Sequence, residues 1–389
     1  MTLPVAIAAA TEIRPGRYPD KLGDAMYFEV LRSFLDEWSL RPQQIGGLLA
    51  SPSGMAAGAA ENIFVHEVLC EELGICPAFA QTMNAGGSTY AVMVARAVTA
   101  IRQGVTDSVL CIGAGTFPKV RDSAEKNARM ASHPDFDYLY GTFIPPLYAQ
   151  AATRHMHDHG TTKAQLAAVA VGQREWALRH PDALMRSKGA LTIEQVLESK
   201  PIASPFNLLD CSVPCDGGGA VLVTDARLAR EINPRPAWVL GCGEAHNHHN
   251  ISQARDLWNL GGHTAMQQAL TRADRQPQDL DFLQLYDSFS FNPILGVENA
   301  GVVDRGKGGE FFAAGRGAPG GDLPVNTYGG LLSFGHTGDA SGMSMIVEGA
   351  LQIMQRAGER QLTRSATGLV HCYGGMMGEH AALVLGETP

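Results

Sequence analysis

A basic stripe, a disulfide framework and a long apolar run are all missing from this 389-residue chain. Charged residues make up 18% of it and the net charge is −9, which excludes a general nucleic-acid binder. The seven cysteines (Cys70, Cys76, Cys111, Cys211, Cys215, Cys242 and Cys372) include no CxxC pair, so free thiols in a reducing cytoplasm are expected. Cys211 and Cys215 stand four residues apart, but no second pair accompanies them as a zinc site would need. The histidine runs HMHDH (His155, His157, His159) and HNHH (His246, His248, His249) read as a polar helix start or loop, and no metal is expected. The opening MTLPVAIAAATEI has no basic segment and only a short apolar run. It reads as a first strand, with neither a secretion signal nor a membrane span expected.

What is present fits an α/β protein. Hydrophobic residues are 45%, aromatics only 7%, and 44 glycines are dispersed as tight strand-to-helix turns require. Strand and helix patterns alternate: strands over 4–10, 45–50 and 107–115, helices over 24–38, about 60–73 and 88–103. The last of these helices carries apolar residues on nearly every side, so it is expected to be buried. Between residues 116 and 209 the pattern loosens, and this stretch reads as an insertion that covers a site. CDGGGAVLVTD then resumes the strand pattern, with Asp216 and three glycines turning into it, and NPRP marks a linker.

After the linker the chain repeats itself. Pro42 lines up with Pro277 and Ile45 with Leu280, an offset of 235 residues. VLCIGAG (109–115) corresponds to LVHCYGG (369–375), and the helix after NAGG to the helix after GHTG. Two halves follow, 1–235 with the insertion and 236–389, with two buried helices back to back.

The site is expected where the N-termini of those two helices converge. NTYGGLLSFGHTGDASG (326–342) sets His336 among glycines ahead of an apolar helical pattern, a place suited to chemistry on an anionic centre. A tight turn with a satisfied histidine is the competing reading. Tyr286, in YDSF, is likewise open between a site residue and a core tyrosine.

The order of these motifs, YDSF, NTYGGLL, GHTGDASG and HCYGGMMG, together with DCSVPCDGGGAVLV before the linker, resembles the thiolase superfamily over essentially the whole chain. Within it the likeness is to sterol-carrier-protein-type thiolases and their bacterial cysteine-less, aldolase-like relatives. The resemblance implies a duplicated five-layered αβαβα fold, with two mixed sheets around two buried helices, and a homodimer. It implies a coenzyme A thioester as substrate. His336 matches the family's activating histidine and Cys372 its second cysteine; Tyr373 is a further candidate proton donor. Asn326, Gly374 and Gly375 are candidates for the oxyanion hole or its turns, and Arg121, Lys126 and Arg129 for diphosphate contacts.

The departure is at the nucleophile. The loop reads MNAGGSTYA, Gly86 stands in the nucleophile's place, and no cysteine lies between Cys76 and Cys111. Ser88 and Thr89 are candidate replacements or mere N-caps, and Cys372 a candidate relocated nucleophile. A reaction needing no nucleophile is retro-aldol cleavage of a 3-hydroxyacyl-CoA, which some cysteine-less relatives perform with a small zinc-ribbon/OB-fold partner. The alternative is a non-catalytic subunit of a hetero-oligomeric acyltransferase or lyase.

Overall fold

The computed structural model describes residues 3–21, 24–54, 62–117, 119–141 and 143–389, and the side chains of all these but residues 120–123 and 339. The first half runs β1 (Val5–Gly16), α1 (Ala25–Trp38), β2 (Gly47–Ala50), α2 (Val65–Leu73), β3 (Phe79–Thr82), α3 (Thr89–Arg102) and β4 (Ser108–Gly115). The insertion holds α4 (Val120–Ala131), α5 (Ile144–His159), α6 (Lys163–Ala177), α7 (Ile193–Glu198) and a small hairpin, β5 (Pro201–Ala203) with β6 (Phe206–Asn207). β7 (Asp216–Asp225) and α8 (Ala226–Ile232) close that half. The second half contains β8 (Ala237–His246), α9 (Gly262–Ala273), β9 (Phe282–Leu285), α10 (Phe291–Ala300), α11 (Gly308–Ala313), α12 (Gly330–Ser333), α13 (Met343–Ile353), β10 (Thr367–Gly374) and β11 (Glu379–Gly386).

Among the described residues nine strands form one mixed sheet in the order β3-β2-β4-β7-β1-β8-β11-β10-β9. Three neighbouring strands run parallel in the first half, β3, β2 and β4, and two in the second, β9 and β10, and the rest of the way to the junction is antiparallel. The expectation of two separate sheets is corrected at that junction. β1 and β8, the first strands of the halves, pair antiparallel at Ala6–Trp238 and Ile7–Ala237. Each would otherwise leave backbone donors and acceptors without partners along an inner edge.

The repeat is visible residue by residue. α1 ends on Ser39 at φ 51° and α9 on Asp274 at φ 52°, both left-handed, and 3-10 turns at Pro42–Gln44 and Pro277–Asp279 then lead into β2 and β9.

α3 and α13 contact each other and strands of both halves. Their sequences explain the position: ten of the fourteen residues of α3 and ten of the eleven of α13 are buried, and a helix apolar all round must be covered all round. α1 and α2 cover the first half-sheet, and α9 and α10 the second, on the faces away from this pair. Among the described residues no helix is long and apolar enough to cross a membrane.

Candidate active site

The parallel strands β9 and β10 end side by side, and each delivers a tyrosine to the same place. Tyr286 follows β9 directly; its hydroxyl lies 3.2 Å from His336 Nε2 and 2.8 Å from Ser341 Oγ. Tyr373, in β10, has its ring 4.7 Å from that of Tyr286 and its hydroxyl 3.1 Å from Ser288 Oγ. Tyr148 of α5 donates to the Gly375 carbonyl at 3.1 Å. Burial pushes the phenols of Tyr286 and Tyr373 well above their ordinary range, so both are protonated at neutral pH.

His336 lies seven residues before α13, so its setting is a loop and not the helix N-terminus expected from the sequence. Its own backbone is committed: its N–H donates to the Val213 carbonyl at 2.7 Å, and its carbonyl accepts from the Cys215 N–H at 2.9 Å. The Phe117 ring stands edge-on to the imidazole at 5.5 Å. Burial pulls the imidazole down to about 4, so it is neutral, with Nε2 facing Tyr286 and Nδ1 buried without a partner among the described residues.

These groups open into a cavity of about 950 Å³. Its floor is Asn84, Ala85, Gly86 and Gly87 against Gly374 and Gly375; its walls come from the insertion, through Asn127 and Met130 of α4, Phe143 to Pro146, Ile202 and Leu208. The insertion thus builds part of the site. Its lining is mostly apolar and aromatic, as a site for an acyl group needs.

Gly86 explains the missing nucleophile. It has φ +57°, and a Cβ there would come within 2.8 Å of Gly374 Cα and 2.9 Å of Gly375 N. At Gly87 a Cβ would meet the Tyr373 carbonyl at 2.4 Å and the Tyr286 ring at 2.5 Å. The tyrosine therefore fills the space that a side chain on this loop would use. Ser88 and Thr89 donate to the carbonyls of Ala85 and Gly86, each at 2.6 Å, which fixes the turn. Their side chains do not cap α3 in the ordinary sense, because Ser88 accepts no N–H of the helix.

Two candidates lie away from the cavity. Cys372 is buried with its sulfur 3.6 Å from the Gly342 carbonyl and 3.9 Å from Met345 Sδ, and burial raises its thiol far from the thiolate range. Asn326 is tied to β9, accepting from Leu285 N–H at 2.6 Å and donating to the Leu285 carbonyl at 2.8 Å. It holds the turn at φ 54°, and it does not line the cavity. Of the cationic candidates, Arg129 pairs with Glu125 at 2.9 Å and covers the Tyr138 ring, Lys126 is exposed, and the Arg121 side chain lies outside the described residues.

The clusters set aside as metal sites are occupied otherwise. His155 bonds Glu298 and Thr161, and His246 bonds Glu379. Ser341, Ser288 and Tyr148 were not singled out from the sequence. Ser288 was reachable, because it stands two residues after Tyr286, while Tyr148 reaches the site only through tertiary packing.

The chain resembles known proteins over most of its length. Residues 243–387 match the family described as thiolase C-terminal domain-like. An acetyl-CoA acetyltransferase of Methanothermobacter thermautotrophicus is 33% identical over 318 residues, 82% of each chain. The chain therefore belongs to the thiolase superfamily. A 17-hydroxy-3-oxo-4-pregnene-20-carboxyl-CoA lyase of Mycobacterium tuberculosis is 30% identical over 293 residues, 71% of this chain and 74% of that one. Among solved structures, the Ltp2-ChsH2(DUF35) aldolase superposes with a TM-score of 0.82 at 24% identity, over 99% of this chain and 98% of its own. That likeness shows the fold.

Proposed function

We propose that this chain is a carbon–carbon lyase that cleaves a 3-hydroxyacyl-CoA thioester by a retro-aldol reaction. The observation that carries the proposal is the floor of the cavity, where two glycines leave no room for a nucleophile and two protonated tyrosines face the space instead. Cleavage starts at the 3-hydroxyl. Tyr286 takes its proton while passing its own to neutral His336 Nε2, 3.2 Å away. The C2–C3 bond breaks, C3 becomes a carbonyl, and the bonding pair moves into the thioester as an enolate. Tyr373 then protonates C2, which yields a shortened acyl-CoA. One proton returning from His336 to Tyr373 through solvent resets the site. Cys372 has no part in this scheme, because its sulfur faces α13.

The lyase among the relatives supports this reading, although an acetyltransferase is equally a relative, so the choice between them rests on the cavity floor. The two-component aldolase of similar fold supports a small partner protein, for which a zinc-ribbon/OB-fold chain is the candidate. A homodimer belongs to the same proposal, supported by the half-exposed edge strand β3. A CoA thioester carries its diphosphate outside the cavity, where exposed Lys126 of α4 is the available candidate contact.

The test is mass spectrometry of products and of intact protein, with and without the partner, on panels of 3-hydroxyacyl-CoA and 3-ketoacyl-CoA thioesters. A ketone or aldehyde plus a shortened CoA ester, with no mass added to the protein, is expected. Tyr286→Phe and Tyr373→Phe are each expected to slow the reaction by about a hundredfold or more. Turnover of 3-ketoacyl-CoA through a protein adduct would make it an acyltransferase, and no turnover with the partner present a non-catalytic subunit.

A further inference from the structure

His336 owes its position to supports, Phe117 and Pro214 among them, that line the cavity but are themselves held from outside it. Its backbone is bracketed by residues 213–215, through the Val213 carbonyl, the Cys215 N–H and a bridge between Pro214 and His336. Its ring is covered by Phe117. Both supports converge on one ion pair. Arg17, just past the end of β1, donates to the Phe117 carbonyl at 2.5 Å and to the Pro214 carbonyl at 2.8 Å. Asp216, the first residue of β7, accepts from the Phe117 N–H at 2.7 Å and from the Tyr18 N–H at 2.8 Å. Its Oδ1 lies 3.6 Å from Arg17 Nη1.

We infer that Arg17 and Asp216 are positioning residues that clamp Phe117 and the 213–215 segment about His336, keeping its Nδ1 out of water and its Nε2 aimed at Tyr286. This rests on the lyase reading for its use in catalysis, but the clamp itself is independent of it. Arginine suits the task for a physical reason. Its planar fork can donate to two carbonyls from different segments while its charge faces a carboxylate, whereas a lysine offers one point of attachment. Asp216 mirrors this by accepting two N–H groups from different segments, so four stretches of chain (17–18, 117, 214–216 and 336) are fixed at one knot. Asp216 is buried while Arg17 is half exposed, so the clamp can be altered from the surface without opening the core.

The consequence is a partly buried imidazole whose basicity is held down by the burial of its Nδ1 side. Among the described residues the Tyr286 hydroxyl, the Cys215 thiol behind the loop and the Arg17–Asp216 pair stand around it, and none of them contributes a charge that offsets burial. Loosening the clamp would admit water to the ring and restore ordinary basicity.

The experiment follows the ring of His336 by NMR of ¹³C-histidine-labelled protein, the resonance being assigned by its loss in His336→Gln. In Arg17→Ala the titration midpoint of this ring is expected to rise by about one pH unit or more, and in Arg17→Lys to rise also, because the fork is lost while the charge remains. Phe117→Ala should reproduce the rise with Arg17 intact, and it stands in if Arg17→Ala does not fold. An unchanged midpoint in folded Arg17→Ala, or in Phe117→Ala should the former not fold, would overturn the clamp. The readout needs no substrate, so a shifted midpoint in a protein that cleaves no thioester would sink the lyase reading and leave the clamp standing.

Discussion

Gly86 is more than the absence of a cysteine. With φ at +57° and the Gly374–Gly375 backbone less than 3 Å from any Cβ, position 86 is closed to side chains. Gly86→Cys is therefore expected to lose about 1–3 kcal/mol of stability in urea unfolding, through a strained left-handed backbone and overpacking, and to gain no acyl mass from a 3-ketoacyl-CoA. A stable variant that acylates stoichiometrically would show the site to be a thiolase lacking one atom group. Ser341 makes a second test. It holds the Tyr286 hydroxyl at 2.8 Å, so Ser341→Ala should lower kcat about tenfold to a hundredfold with KM little changed, as expected for a bond to a group that gains charge in the transition state. At this scale His336, Tyr286 and Tyr373 were legible as motif positions. Cys372 was not, because neighbours in a strand point to opposite faces. With Tyr373 turned to the cavity, Cys372 had to face α13, and a motif read as a string does not show that choice.

Elements were the most legible level, and the reason is the duplication. Helices with one apolar stripe or none exposed, strands ending in glycine, and an offset of 235 residues gave the order of parts and the buried pair α3 and α13. What periodicity could not show was how the halves join, since the β1–β8 contact involves only two residue pairs and has no sequence pattern of its own. The repeat also carries a defect twice. Ser39 and Asp274 end equivalent helices in the left-handed region, where a Cβ costs energy that glycine avoids. Ser39→Gly and Asp274→Gly are each expected to raise stability by about 0.5 kcal/mol, the relief of strain being partly offset by the freer unfolded chain. The two lie in different halves and should add within error in urea titrations, with no change in catalytic rate. A loss of stability in either variant would mean that its side chain has a partner worth more than the strain.

For the whole molecule, the core has enclosed titratable groups of both kinds, and their effects on stability oppose one another. Burial holds the imidazoles of His336 and His380 down to about 4 and that of His180 to about 3, and places His371 well below the usual range. An unfolded histidine takes up its proton near 6.5, so these rings contribute stability that is complete above pH 6.5 and is lost as the pH falls toward 4 and below. Glu12 behaves in the opposite way. Burial, helped by Glu348 and Asp182, raises its carboxyl to about 8 despite the bond from Ser344 and the nearby Arg360. An unfolded glutamate gives up its proton near 4.5, so the stability tied to Glu12 is complete below that pH and is lost as the pH rises toward 8. Between pH 6.5 and 8 the histidines, half protonated at 6.5 in the unfolded chain, still add a little, while Glu12 contributes a loss on the order of 1–2 kcal/mol that its amide variant isolates. Urea unfolding at pH 5, 6.5 and 8 measures both limbs. The wild-type protein should gain stability steeply from pH 5 to 6.5, and Glu12→Gln, which has no carboxyl to ionise, should keep that limb and change between 6.5 and 8 by about 1–2 kcal/mol more favourably than the wild type. Equal slopes for the two proteins over that alkaline interval would mean that Glu12 is ionised in the folded state. The junction of β1 with α13 would then have to be wet enough to solvate a carboxylate.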